Sequence, residues 1–302
     1  MIAGVYHAED PGPDTALDGA FRRQASTIRN PLPPGELTAG RFHLYAAWNC
    51  PWAHRVLLTR VVKGLQPIMS VSYAEPRRTA DGWIYAEGED PLFGARALHE
   101  VYARLKPAYT GRITVPLLWD RVSGAEVSNE SADLVRMLGT LPDSGPDLAP
   151  EHLRDQIDGW NAKIYPGLNN GVYRAGFART QSAYEAGCRD VFDTLNEIEA
   201  HLEQNRYLCG ETLTEADIRL FPTLARFDVA YHYAFKCNLA RLTDYPNLWR
   251  YAREIYQMPG IAETVRFDIY KQGYFSASEL RNPLGIVPLG PRVDWSEPHG
   301  RE

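Results

Sequence analysis

The sequence predicts a two-part protein, an α/β domain followed by an all-α domain. Three observations lead to this fold class. Strand and helix patterns alternate up to residue 139, a linker rich in Pro, Gly and Asp occupies 140–150, and the regular patterns beyond it are helical. The 302 residues are enough for two domains of ordinary size.

Short apolar strands and helices alternate through the first half of the chain. Strands are predicted at 42–47, 68–73, 114–120 and 125–127, and helices from Pro51 to a stop at Gly64, at 93–106 and at 129–139. The order strand, helix, strand, helix, strand, strand, helix is typical of a thioredoxin-like domain.

The second half has the periodicity of helices. One predicted helix carries four apolar residues on a single face, Val191, Leu195, Ile198 and Leu202. Thr214 is the predicted N-cap of another helix, and Asp217 is placed to bond back to the Thr214 amide. Pro246 begins a further helix.

These patterns give five segments. We expect an N-terminal arm on the surface at 1–40, a thioredoxin-like domain at 41–140, a linker at 141–149, a helical domain at 150–280 and a tail at 281–302.

Composition excludes several classes of protein. The net charge is −6, from 32 basic and 38 acidic residues, so the composition lacks the excess of positive charge that would favour binding to nucleic acid or an anionic membrane. No apolar run approaches the roughly 20 residues of a membrane span, and residues 1–10 have no secretory signal pattern. The four widely spaced cysteines indicate reduced thiols and a cytoplasmic location.

Cys50 is the candidate nucleophile. It follows a predicted strand and precedes Pro51 at the start of a helix. Helix-start amides and the helix dipole stabilise a thiolate, and such thiols have pKa values of roughly 3.5–7.5 instead of about 8.5. A buried packing role is the alternative. It is the interpretation for Cys188, Cys209 and Cys237, which lack this context.

Ala53 stands where a dithiol site would have its second cysteine. A disulfide formed on Cys50 must therefore be resolved by an outside thiol, for which glutathione is the abundant candidate. The spacing predicts a cycle with one protein cysteine and glutathione as co-substrate.

Two further segments suit a bound peptide. Val115-Pro116 begins a strand, and we expect its peptide bond to be cis, against the alternative of an ordinary trans proline. Asn129-Glu130-Ser131 opens a helix, where amides and Ser131 can hold a carboxylate and Glu130 an ammonium group. Plain helix capping explains the second segment equally well by itself. We find no pattern for a metal site.

The chain resembles the glutathionyl-hydroquinone reductases, the Xi class of glutathione transferases, over about residues 40–295. The most specific matches are CPWAHR at 50–55, NNGVYRAGF at 169–177 and FKCN at 235–238, with further matches at 111–116, 128–132, 214–221 and 282–291. The resemblance implies a thioredoxin-like N-terminal domain with an all-helical glutathione-transferase C-terminal domain, and a homodimer.

The resemblance also implies a reaction and its residues. Glutathione is removed from a glutathionyl-hydroquinone, and glutathione and aromatic glutathione conjugates are the partners. The implied nucleophile is Cys50, the glutathione-binding residues are Trp83, Arg96, Val115, Glu130 and Ser131, and the hydroquinone pocket is lined by Tyr173, Tyr231 and Tyr274.

Some positions depart from the family pattern. Trp48 and Asn49 precede the cysteine where smaller residues are usual, and Gly273 and Phe275 stand where the family often has His and Tyr. These departures concern the aromatic substrate. A broader thioltransferase or dehydroascorbate reductase, and a binding protein that holds conjugates without turnover, remain the alternatives. A conjugating transferase is disfavoured because it would use Ser or Tyr at the thiolate.

Overall fold

The computed structural model describes residues 1–8, 17–142 and 144–301 in two compact units. The first unit contains 1–8, 25–142 and 144–146, and the second contains 17–24 and 147–301. In the described parts of the chain, a search for helices long and apolar enough to cross a membrane finds none.

The first unit is built on a four-stranded mixed sheet in the order β2-β1-β3-β4. The strands are β1 Phe42–Ala47, β2 Met69–Ala74, β3 Leu117–Asp120 and β4 Ala125–Ser128. Strand β1 is parallel to β2 and antiparallel to β3, which is antiparallel to β4. The helices are α1 Pro51–Val62, α2 Leu98–Leu105 and α3 Ser131–Gly139. The predicted α/β domain is confirmed.

The central strand determines where the first helix must begin. All six residues of β1 are buried, as expected for an inner strand covered on both faces. Because β2 runs parallel to β1, the chain must cross over between them, and α1 makes this crossing. Cys50 lies at the joint between β1 and α1.

Helix α2 begins five residues later than the predicted start at 93. The Asp90 carboxylate accepts hydrogen bonds from the amides of Leu92, Phe93 and Ala95, at 3.1, 3.3 and 2.9 Å. These amides are held in a turn by a side chain, so the helix cannot begin until Leu98. Apolar spacing alone did not reveal this competition.

The second unit is helical, as predicted. Its helices are α4 Arg154–Ile164, α5 Gly171–Gly176, α6 Gln181–His201, α7 Glu215–Arg226, α8 His232–Ala234, α9 Pro246–Gln257 and α10 Phe267–Tyr274. Single π-helical turns at Tyr165–Asn169 and Phe227–Tyr231 precede α5 and α8. Val191, Leu195 and Ile198 on α6 are fully buried.

The predicted capping box at the start of α7 is confirmed. The Asp217 carboxylate accepts from the Thr214 amide at 2.8 Å and the Thr214 hydroxyl at 3.0 Å. Its other oxygen accepts from the Leu208 amide at 3.0 Å and the Tyr251 hydroxyl at 2.8 Å. The carboxylate therefore fixes the start of α7 and joins it to two neighbouring segments.

The expectation that residues 1–40 lie on the surface is wrong for two apolar residues. In the first unit, Ile28 is buried and exchanges hydrogen bonds with Asn129, whose side-chain oxygen accepts from the Ile28 amide at 3.1 Å. In the second unit, Phe21 is buried against Phe177, with ring centroids 5.3 Å apart. Each anchor is a single apolar residue, so it gives no periodicity for sequence analysis to detect.

Candidate active site

Cys50 is the N-cap of α1. Its sulfur accepts a hydrogen bond from the Ala53 amide at 3.5 Å, and the thiol is 3.5 Å from the Val115 carbonyl oxygen. The residue is 8% exposed, enough to leave the sulfur at the edge of the core. An amide donor together with the positive end of the helix dipole favours the thiolate.

The other three cysteines lie in surroundings that keep them as neutral thiols. Burial raises the pKa of the Cys188 thiol, raises the pKa of Cys209 to about 11, and raises the pKa of Cys237 further. All three side chains are buried in the helical unit, and all four cysteines are free. Cys50 is thus distinguished by its place at a helix start.

The Val115-Pro116 peptide bond is cis, as predicted from the sequence. Val115 is 5% exposed and lies two residues before β3, and its carbonyl oxygen is beside the Cys50 sulfur. This places a main-chain segment next to the sulfur.

The start of α3 shows which capping interactions are present. Glu130 is the N-cap, and its carboxylate accepts from the Ala132 amide at 3.0 Å. The Ser131 hydroxyl lies 3.4 Å from a guanidinium nitrogen of Arg55 and is buried. Asn129 instead holds the N-terminal arm, and its amide also donates to Tyr102. Of the two interpretations of this segment, helix capping is therefore observed at Glu130.

Ser26 contacts the start of α3 and was not predicted from the sequence. Its hydroxyl donates to the second carboxylate oxygen of Glu130 at 2.9 Å. The carboxylate is then held at both oxygens, by the Ala132 amide and by the N-terminal arm. Ser26 lies in a segment without periodicity, so only the structure could place it.

Trp83 and Arg96 lie on two paired segments before α2. The Leu98 amide donates to the Trp83 carbonyl and the Tyr85 amide donates to the Arg96 carbonyl, both at 2.8 Å. Trp83 is half-buried, with the Cζ of Arg78 5.4 Å from its ring centroid, and Arg96 is exposed. The pairing thus brings these two predicted residues onto adjacent pieces of chain.

Tyr173, Tyr231 and Tyr274 form one hydrogen-bonded row in the helical unit. The Tyr274 hydroxyl oxygen lies 2.7 Å from that of Tyr173 and 3.0 Å from that of Tyr231. Tyr231 is fully buried, whereas Tyr173 and Tyr274 are partly accessible. The three hydroxyls therefore lie together in one hydrogen-bonded group.

Arg226 is a buried cation next to this row. Its Cζ lies 3.7 Å from the centroid of the Tyr270 ring, and it donates to the Pro222 carbonyl at 2.9 Å. Burial raises the pKa of Tyr231 and Tyr274 well above the ordinary tyrosine value, and the charge of Arg226 partly opposes that rise. The hydroxyls therefore stay protonated at neutral pH and can donate. An arginine within the apolar run of α7 was the available sequence signal.

Possible metal-ligand groups were sought among the described residues. A search there for three or more His, Cys, Asp or Glu side chains grouped closely enough to hold an ion finds none.

Comparison with known proteins gives two domain matches. Residues 49–141 match the N-terminal domain of glutathione S-transferases, and residues 181–254 match their C-terminal domain. These matches agree with the α/β unit that carries Cys50 and with the helical unit that carries the tyrosine row.

Individual relatives identify the family more narrowly than the two domain matches do. The chain is 45% identical to glutathionyl-hydroquinone reductase YqjG of Escherichia coli, covering 100% of this chain and 98% of the relative. It is 44% identical to glutathionyl-hydroquinone reductase PcpF of Sphingobium chlorophenolicum, covering 96% of each. The chain belongs to the glutathionyl-hydroquinone reductase family.

Solved structures place this reductase family among the Xi-class glutathione transferases. The Xi transferase of Phanerochaete chrysosporium superposes with a TM-score of 0.89 at 42% identity, over 94% of this chain and 97% of that one. The glutathione-bound structure of Escherichia coli YqjG gives 0.86 at 43% identity, over 99% and 98%. The family predicted from the sequence motifs is confirmed.

We predict that one cysteine of the native protein reacts rapidly with iodoacetamide at pH 7. Alkylation requires a thiolate, and a thiol with a pKa of about 11, as at Cys209, is ionised to only about one part in 10⁴ at that pH. Mass spectrometry should show one adduct, on Cys50. The Cys209→Ser variant should keep it and Cys50→Ser should lose it; fast labelling that survives in Cys50→Ser would contradict the assignment.

Proposed function

We propose that this chain reduces glutathionyl-hydroquinones, with Cys50 as the nucleophile and glutathione as the second substrate. The observation that carries the proposal is the sulfur of Cys50 capping α1, 3.5 Å from the Ala53 amide. Ala53 offers no second thiol, so a disulfide on Cys50 must be resolved from outside. The names of the two reductase relatives agree with this chemistry.

The first step makes the carbon–sulfur bond of the conjugate cleavable. A proton moves from a ring hydroxyl to the ring carbon that bears sulfur, which becomes tetrahedral in a keto tautomer. The Cys50 thiolate then attacks the glutathione sulfur and a sulfur–sulfur bond forms. The carbon–sulfur bond breaks, and its electron pair restores the aromatic ring as a phenolate, which takes up a proton.

The second step returns the enzyme to its starting state. A glutathione thiolate attacks the glutathione sulfur of the mixed disulfide, and the Cys50 thiolate leaves. The products are one hydroquinone and one oxidised glutathione. The ring carbon is reduced, and two glutathione sulfurs are oxidised to a disulfide, so the electrons balance without another reductant.

The proposed glutathione site combines backbone and charged groups of the first unit. Val115 offers its main chain beside the sulfur, and the start of α3 offers amides and the Ser131 hydroxyl to the γ-glutamyl carboxylate. Glu130 takes the γ-glutamyl ammonium group. Trp83 and Arg96 complete the site, with Arg96 near the glycyl carboxylate.

The proposed hydroquinone site is the tyrosine row. Neutral hydroxyls in a buried setting are strong donors to a phenolate that forms during the reaction. The hydroxyls of the row, at Tyr173, Tyr231 and Tyr274, would donate to this phenolate. Phe275 is buried and lacks a hydroxyl, so it adds only apolar surface.

We further propose that the protein forms a homodimer in a reducing, cytoplasmic compartment. Four free thiols fit such a compartment. Leu284, Ile286 and Leu289 are 81%, 65% and 96% exposed, and a run of exposed apolar side chains fits a surface covered by a second copy.

Replacement of the nucleophile tests the reaction. In Cys50→Ser, release of hydroquinone from its glutathione conjugate should fall below detection, and the glutathione adduct on the intact protein should disappear from mass spectra. Cys188→Ser should retain both. Full turnover by Cys50→Ser would refute the mechanism. An adduct without any turnover in the unmodified protein would favour the conjugate-binding alternative.

The arm residue Ser26 should affect affinity and not chemistry. In Ser26→Ala, the Glu130 carboxylate loses one of its two fixed contacts, worth about 1 kcal/mol, which corresponds to a roughly five-fold rise in KM for glutathione with kcat unchanged. Thr27→Val is the matched control, since the Thr27 hydroxyl contacts Tyr109 and not Glu130. Equal effects of the two substitutions would mean that the arm acts only through folding.

The tyrosine row should matter for the aromatic substrate alone. Tyr274→Phe removes the central hydroxyl and should slow hydroquinone release by about 10²-fold. Reduction of a small glutathione mixed disulfide, which forms no phenolate, should change less than about two-fold. Tyr233→Phe, at a residue that is 72% exposed, is the control. A loss of similar size on both substrates would remove the row from the ring site.

A further inference from the structure

Arginines lie against two neighbouring aromatic rings of the helical unit, those of Tyr173 and Phe177. The Cζ of Arg281 lies 4.3 Å from the centroid of the Phe177 ring, and the Cζ of Arg23 lies 4.7 Å from that of Tyr173. The Phe177 and Tyr173 rings are stacked on each other, 5.9 Å apart. Arg179 is two residues beyond Phe177. Arg23 therefore lies against Tyr173 of the tyrosine row, and Arg281 lies against the ring stacked on it.

The charge of Arg281 is not balanced by a carboxylate within the described residues. Its guanidinium has a ring contact there but no hydrogen bond and no ion pair. Other arginines of the same unit are paired, as in Arg174 with Asp190, Arg189 with Glu185 and Arg253 with Glu297. Arg281 thus differs from these three arginines, because no carboxylate of the described residues is paired with its charge.

Nearby charge increases this imbalance. The pKa of Arg281 is lowered by the protein around its guanidinium and by the positive charge of Arg179. Arg23 donates from Nε to the neutral side-chain oxygen of Asn170 at 2.8 Å. An anion bound beside Arg281 would offset the repulsion between its charge and that of Arg179.

We propose that Arg281, with Arg23, is a subsite for an acidic group on the aromatic ring, so that the preferred conjugates carry a ring carboxylate. This inference rests on the proposed function of the tyrosine row. A guanidinium presents parallel donors that match a carboxylate. Because the protein has a net charge of −6, a local cationic edge is also what would attract an anionic substrate.

A purely structural role for Arg281 makes a different prediction. Through its cation–π contact with Phe177, Arg281 would hold the chain near residue 281 against that ring. Its loss would then weaken every substrate alike. The two roles are separated by substrates that differ in charge and little in shape.

The experiment uses two glutathionyl-hydroquinones that are identical except for a ring carboxylate in one and a carboxamide in the other. The unmodified protein should prefer the carboxylate, and the preference should weaken as salt is raised. In Arg281→Gln, KM for the carboxylate should rise about ten-fold, and KM for the carboxamide should change less than about two-fold. Arg281→Lys should recover part of the loss. Arg189→Gln, at an arginine paired with Glu185, should alter neither substrate.

A binding measurement tests the carboxylate subsite at Arg281 independently of turnover. Calorimetry with 2,5-dihydroxybenzoate and 2,5-dihydroxybenzamide should show tighter binding of the acid, lost in Arg281→Gln. Equal binding of acid and amide, or equal losses of both in Arg281→Gln, would overturn the subsite. Failure of the unmodified protein to turn over either conjugate would instead refute the proposed function, and the binding result would still judge the subsite.

Discussion

The contact between the Cys50 sulfur and the Ala53 amide is the interaction on which the rest of the active site depends. It exists because β1 is an inner strand that must be followed by a crossover, and α1 begins where that strand ends. The Ala53 amide and the Val115 carbonyl, in the chain before β3, both contact a sulfur placed there. The sheet therefore positions the Cys50 sulfur, and a shift in the start of α1 would move the proposed nucleophile.

Burial produces opposite outcomes at different ionisable groups. At Cys209 and Cys237 it disfavours the charged thiolate and leaves unreactive thiols. In the tyrosine row it keeps the hydroxyls protonated, and this makes them useful donors. A group is set up for catalysis when its surroundings hold it in the protonation state that its task requires.

Much of the fold and part of the site could be predicted from local sequence. Cys50 before Pro51 and the capping box at Thr214 and Asp217 are short-range patterns with a direct physical meaning, so they were recognised. Ser26 and Arg281 were missed because their partners are distant along the chain and neither residue belongs to a periodic pattern. The late start of α2 was missed for another reason, since a turn held by a side chain competes with helix formation.

The two substrate halves are proposed to meet different kinds of protein group. Glutathione would be held largely by main-chain segments and by the start of α3, whose positions follow from the sheet and helix. The aromatic ring would be held by side chains on separate helical segments, such as Tyr173 and Tyr274. Gly273 and Phe275 belong to the helical unit, whereas Cys50 belongs to the α/β unit. On this proposal, ring specificity can vary while the thiol chemistry is kept, and the proposed subsite at Arg281 would determine the choice of substrate and not the reaction.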